Sequence, residues 1–331
     1  MYSATQLAQS RRNPQTHQQT AQELINLLQA GQNLSLAEEF YACSVMETLR
    51  GEDGNKFFNL HDCPGCVNHL FNKCYLTYHQ NLSGQLRAND AFGIIPQHQV
   101  DQDVAFLETQ YREWLQVIET TNHSDLLLQY VGKESRNHLK NSRKFALRRR
   151  QGSRLQQHAE KSVVLHSKYL YLKVRKFYQE LKATEQLVTA CGHTILIDGF
   201  AHFHILFRHY AQHVKEYQDD TSYHVDQNLN PENLPNELVA ILQEYFHLIP
   251  CASFNRERTY VRINGTVYAI WFKAHQRHSG GQTNQVLRLQ TFYPVTQARE
   301  LEFVGALAEM VAPSGRGLFY KPIVQGAVTD P

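Results

Sequence analysis

The sequence predicts an α+β protein: a helical amino-terminal domain followed by a small domain of helices packed on an antiparallel sheet. Three observations predict it. Apolar residues recur at helical spacing through the first half, with little strand signal before residue 150. An Asn264-Gly265 pair sits between two alternating apolar runs, the strongest hairpin signature in the chain. Two helical segments precede that hairpin and a further strand follows it, an order that puts helices on one face of a small sheet.

The elements follow in chain order. Residues 1–20 are polar and Gln-rich and read as a frayed tail. Helical spacing begins near Ala21, with Leu24, Ile25, Leu27 and Leu28 on one face. Ser35 and Glu38 form a capping-box pattern for a helix that Gly51 ends. Further helical patterns cover 66–81, 101–119 and 124–131, and 155–183 reads as one or two long helices. The helical domain is thus 21–190, with a break at Cys191-Gly192. In 191–300 the pattern predicts a helix over 195–218, and a second opened by Pro235 and closed by Pro250. The strands TYVRI, TVYAIWFKAH and VLRLQTFYPV follow, and 301–331 reads as an extension.

Composition narrows the function classes. Hydrophobic residues at 42% and aromatics at 11% support real cores, and a net charge of +2 gives no overall pull toward polyanions. Any nucleic-acid contact must come from local clustering. Residues 133–154 supply one, with nine Lys or Arg against one acid. Arg143, Lys144, Arg148, Arg149 and Arg150 there read as phosphate contacts, or else as a solvated face or a dock for an acidic partner. No apolar run suits a membrane span or a signal peptide, so the expected location is the cytoplasm, with no membrane partner. The six Cys are irregularly spaced, which argues against a disulfide framework. Cys63, Cys66, His69 and Cys74 have only part of a zinc-site spacing. Buried small hydrophobes are the plainer reading there, and no metal or cofactor is expected.

The chemistry-bearing residues cluster late in the chain. On an ideal helix His202, His209 and His213 fall within roughly 40° of one another, and His204 lies with Arg208 on another flank. Imidazoles move protons near neutral pH and a guanidinium steadies an anionic transition state. Each could equally be an ordinary boundary residue. Strand alternation puts Leu287, Leu289, Thr291 and Tyr293 on one face and Val286, Arg288, Gln290 and Phe292 on the other. Val267, Ala269, Trp271 and Lys273 share a side of the preceding strand.

The order HFHILFRHYAQH, NLPNELVAILQEY, RTYVRINGTVYAIWFKAHQ, VLRLQTFYPV resembles the barnase–EndoU–colicin–RelE-like nuclease domains of phages and mobile elements, over about residues 193–298. The resemblance implies a barnase-like sheet and metal-independent cleavage of RNA through attack by its own 2′-hydroxyl. It implies His204 or His209 as general acid or base. Arg208, Lys273 and Arg288 would hold the phosphate, and Thr291 and Tyr293 would complete the site. It also implies a toxin-like role, with an immunity or other partner protein. The Gly usual after the helix His is replaced by Tyr210. That departure keeps a non-catalytic nucleic-acid or protein binding module open. The Arg208-to-His213 spacing also fits the R-x-x-x-x-H pattern of HEPN ribonucleases, which are all-helical.

Overall fold

The computed structural model describes residues 2–30, 32, 34, 38, 41, 97–148, 153–210, 229–279 and 281–322. The chain divides into two compact units: Met1–Lys173 with His213–Asp219, and Val174–Gln212 with Asp220–Pro331. The division falls inside a long helix, not at Cys191-Gly192.

The first unit is helical in its described residues. α1 (Ala4–Ser10) starts at a Ser3 capping box, and α2 (Pro14–Gln29) follows, so the segment expected to be a frayed tail holds one helix and the start of a second. Ala21 and Leu24 of α2 are fully buried. α3 (Gln97–Glu119), α4 (Leu126–Arg148) and α5 (Ser153–Leu181) supply the rest. Trp114 of α3 donates to the Ser167 hydroxyl of α5 at 2.7 Å, and Arg143 of α4 makes a two-pronged pair with Glu160 of α5 at 3.0 and 3.1 Å. The basic run therefore lies largely on a helix. The predicted Ser35-capped helix and the helix over 66–81 lie outside the described residues, apart from Glu38 and Tyr41.

The second unit holds a seven-stranded sheet, ordered β1-β2-β5-β4-β3-β7-β6. Its strands are β1 (Glu185–Ala190), β2 (His193–Asp198), β3 (Arg258–Ile263), β4 (Thr266–Ser279), β5 (Gln282–Pro294), β6 (Ala308–Val311) and β7 (Gly317–Tyr320). The sheet is mixed and not antiparallel throughout as expected, since β2 and β5 run parallel while the other pairs are antiparallel. Its helices are α6 (Gly199–Ile205), continued by a π-helical turn over Leu206–Tyr210, α7 (Leu234–Leu248) and α8 (Ala298–Gly305). α+β architecture and the α7–hairpin–strand order agree with the sequence.

Three expectations are corrected. First, Ile195-Leu196-Ile197 forms a strand instead of opening the helix. Asp198 then caps α6, its carboxylate accepting from Ala201 N at 3.3 Å. Second, Cys191-Gly192 is a two-residue hairpin turn, with φ of 55° and 72°, the same left-handed pair as Asn264 (48°) and Gly265 (82°). Cys191 is bonded to Cys251, which sits 60 residues on, a bond that the irregular cysteine spacing does not announce. Third, residues 301–320 are no appendage: they finish α8 and add two strands.

α7 covers one sheet face. Leu238, Ile241, Leu242 and Tyr245 pack there with Ile195, Ile197, Val261, Tyr268, Ile270, Phe272, Leu289 and Phe292. Val304 of α8 packs on the other face with Tyr260, Ala269 and Phe319. Leu289 and Phe292 share the α7 face although three residues apart, because β5 carries a bulge. Trp271 pairs with Thr291 but Phe272 pairs with Leu289, which leaves Gln290 extra. Strict alternation would put Thr291 and Tyr293 with Leu289. The bulge moves them to the opposite face, with Arg288, Trp271 and Lys273.

Candidate functional site

α6 starts where β2 ends and runs beside β5. The π turn that extends it brings residues five apart into line, whereas an α-helix aligns those three or four apart. His204 and His209 therefore neighbour each other, with ring centroids 6.2 Å apart. The expected grouping of His209 with His202 does not occur. π turns arise often at functional sites, because the extra residue re-aims the side chains around it.

His209 is 7% exposed. Its Nε2 lies 2.9 Å from Thr291 Oγ1, and its ring stacks on Tyr293 at 5.4 Å between centroids. Thr291 and Tyr293 reach it only because of the Gln290 bulge. His204 is half-buried and stacks on Phe200. The Tyr293 hydroxyl donates to Glu300 at 3.3 Å, and Glu300 also receives Tyr260 Oη and Arg258 Nη1 at 3.0 Å each. Burial and the Glu300 charge raise the Tyr293 pKa, so its phenol stays protonated as a donor and stacking plate.

The other predicted residues divide. Lys273 is exposed, on the same sheet face as Thr291 and two residues along β4 from the Trp271 that pairs with it. That step spans about 7 Å. Arg208 is half-buried, with Nε lacking a hydrogen-bond partner among the described residues. Arg288 is corrected: it is 7% exposed, ion-paired with Asp198 at 2.6 Å, and its guanidinium sits 4.2 Å over the Phe200 ring. It anchors β5 to the cap of α6 and does not offer itself to RNA. His202 is also structural. It donates from Nε2 to Pro231 O at 3.1 Å, and burial lowers its pKa to about 4.

In the helical unit, Arg143 is engaged with Glu160, and the pairing raises its pKa. Lys133, Lys140, Lys144 and Arg148 are exposed at spacings that put them along one face of α4. Arg149, Arg150, His213 and the cysteine group Cys63, Cys66, His69 and Cys74 lie outside the described residues. No set of three or more His, Cys, Asp or Glu among the described residues has metal-binding geometry.

In the second unit a cleft of about 580 Å³ is lined by His193, Phe272 and Leu287, with Arg256, Trp271 and Lys273 at its border. His204, His209, Thr291 and Tyr293 do not line it. Arg258 and Glu300, which surround Tyr293, and Asp198, which holds Arg288, are not singled out by the sequence reading. Only the Asp198-Gly199 pair, a helix-start signal after an apolar run, carries a local trace.

No protein-family model, no curated protein and no solved structure matches the chain.

Proposed function

We propose that the second unit is a metal-independent ribonuclease, acting on RNA through its own 2′-hydroxyl. The carrying observation is the seat of His209. A helical imidazole meets a strand hydroxyl at 2.9 Å and a tyrosine plate, with a second imidazole 6.2 Å away. Two imidazoles at that spacing serve a reaction needing one base and one acid. One takes the proton from the 2′-hydroxyl as its oxygen attacks phosphorus. The other gives a proton to the departing 5′-oxygen as the P–O5′ bond breaks. The products are a 2′,3′-cyclic phosphate and a free 5′-hydroxyl. Thr291 fixes the His209 ring, and its hydroxyl can pass a proton between Nε2 and the substrate. Lys273 supplies positive charge for the phosphoryl oxygens from the same face.

Among the described residues no helix is long and apolar enough to cross a membrane. The Cys191–Cys251 bond favours an oxidising compartment over the cytoplasm. An all-helical HEPN site does not fit, because Arg208 enters a unit built on a seven-stranded sheet.

The test is incubation of the full chain with single-stranded RNA in excess EDTA. The expected result is cleavage to 2′,3′-cyclic ends, reduced on the order of 10²- to 10⁴-fold in His209→Ala. A milder loss is expected in Thr291→Val. Cleavage unchanged in both His209→Ala and His204→Ala removes the assignment. RNA binding with no cleavage leaves a binding module.

A further inference from the structure

Three exposed apolar side chains stand near the candidate site: Trp271 at 37%, Phe303 at 49% and Leu301 at 41% exposure. Two of the three are aromatic and share a guanidinium. The Arg258 carbon lies 4.7 Å from the Trp271 ring centroid and 5.7 Å from that of Phe303. Glu300 holds this arginine at 3.0 Å, so its plane is set before any ligand arrives. We propose that Trp271, Arg258 and Phe303 form a stacking platform for a nucleobase of single-stranded RNA. Lys273 and Arg256, at the border of the adjoining cleft, neutralise the phosphates that follow it. The RNA identity rests on the ribonuclease reading, while the platform itself does not need cleavage.

Two features place the platform correctly for this. Trp271 pairs directly with Thr291, the residue that contacts His209. Directly paired residues of neighbouring strands stand about 5 Å apart on one face, so Trp271 is a cross-strand neighbour of the residue that holds the imidazole. Glu300 also links the two places physically, since it accepts from Arg258 on one side and from Tyr293, the plate under His209, on the other.

The chemistry selects the ligand. Every nucleobase has a π-face, and stacking on aromatic rings and arginine planes is tolerant of sequence. The cleft border adds Lys273 and Arg256 against one acid, Glu257. A flat ring followed by a regularly spaced anion meets both halves. An acidic peptide meets only the second.

The experiment measures binding of a fluorescent 2′-O-methyl oligouridine, which resists cleavage, to the full chain. Trp114→Phe serves as background, leaving Trp271 as the single tryptophan reporter. The expected results are quenching of Trp271 by the oligonucleotide and roughly tenfold or greater weakening in a Trp271→Ala variant. Trp271→Phe should restore most of the affinity. Lys273→Gln should lower the slope of log affinity against log salt by about one phosphate's worth. Affinity within twofold of the parent in Trp271→Ala overturns the platform, as does equal competition by polyglutamate. Platform-dependent binding without cleavage of ordinary RNA would sink the ribonuclease reading and leave the platform standing.

Discussion

Acid should weaken the second unit through His202, a residue outside the proposed chemistry. Its imidazole is fully enclosed beside Phe177 and Tyr178 and donates to the Pro231 carbonyl. Desolvation is the main cause that lowers its pKa from 6.5 to about 4, and the Pro231 bond opposes it. The unfolded chain binds a proton near pH 6.5 and the folded unit only near 4. Between those values the unfolded state holds more protons, so stability falls as pH falls. At about pH 4.5 the linkage relation gives a loss of roughly 2.5 kcal/mol from this group, nearly a hundredfold in the folding constant. The matched variant is His202→Gln, whose amide can still donate to Pro231 O but does not titrate in this range. Both forms carry Trp114→Phe, so the fluorescence of Trp271 reports the second unit. Urea unfolding of each at pH 7 and pH 4.5 gives a double difference that cancels all other titrating groups. A double difference below about 0.5 kcal/mol would refute the reasoning, because it would mean that His202 is protonated in the folded state or never enclosed.

Other outcomes follow from the same contacts. Replacing Arg288 by Met leaves Asp198 buried without its partner, and urea unfolding should show a loss of about 3–5 kcal/mol. The double variant with Asp198→Asn should recover part of it, less the weakened cap on α6. Reduction of Cys191–Cys251, or Cys251→Ser, frees a loop of 60 residues. On the chain-entropy relation that costs about 4 kcal/mol, read as a fall in urea midpoint with a phosphine reductant. Gly265→Ala meets no atom within 4 Å but must hold φ near +82°, so it should cost about 1–2 kcal/mol in the same assay, from backbone conformation alone.

The features legible in the sequence are those that neighbouring residues enforce. Asn264-Gly265 takes two left-handed φ values, so the β3–β4 hairpin is written in two letters. Pro235 and Pro250 bracket α7 because proline fits a first turn and prevents continuation. The groups His209, Thr291 and Tyr293 could be named from residue type, because proton transfer and strand preference belong to the side chains themselves.

Their meeting was not legible. Period-two alternation puts Thr291 on the face of Leu289, and a single extra residue at Gln290 reverses that. The π turn likewise exchanges His202 for His204 as the neighbour of His209. Both irregularities depend on packing against distant strands. Arg288 looks like a phosphate contact until Asp198, 90 positions earlier, is brought beside it. The Cys191–Cys251 pair and the parallel β2–β5 pairing are decided by the same long-range closure. By itself the sequence determined the local chemistry: helical and strand periods, turns, caps and the supply of proton-carrying groups. Only the tertiary structure decided which of those groups share a face, because one added residue in a strand or helix turn redirects every side chain beyond it without altering the local pattern that a sequence displays.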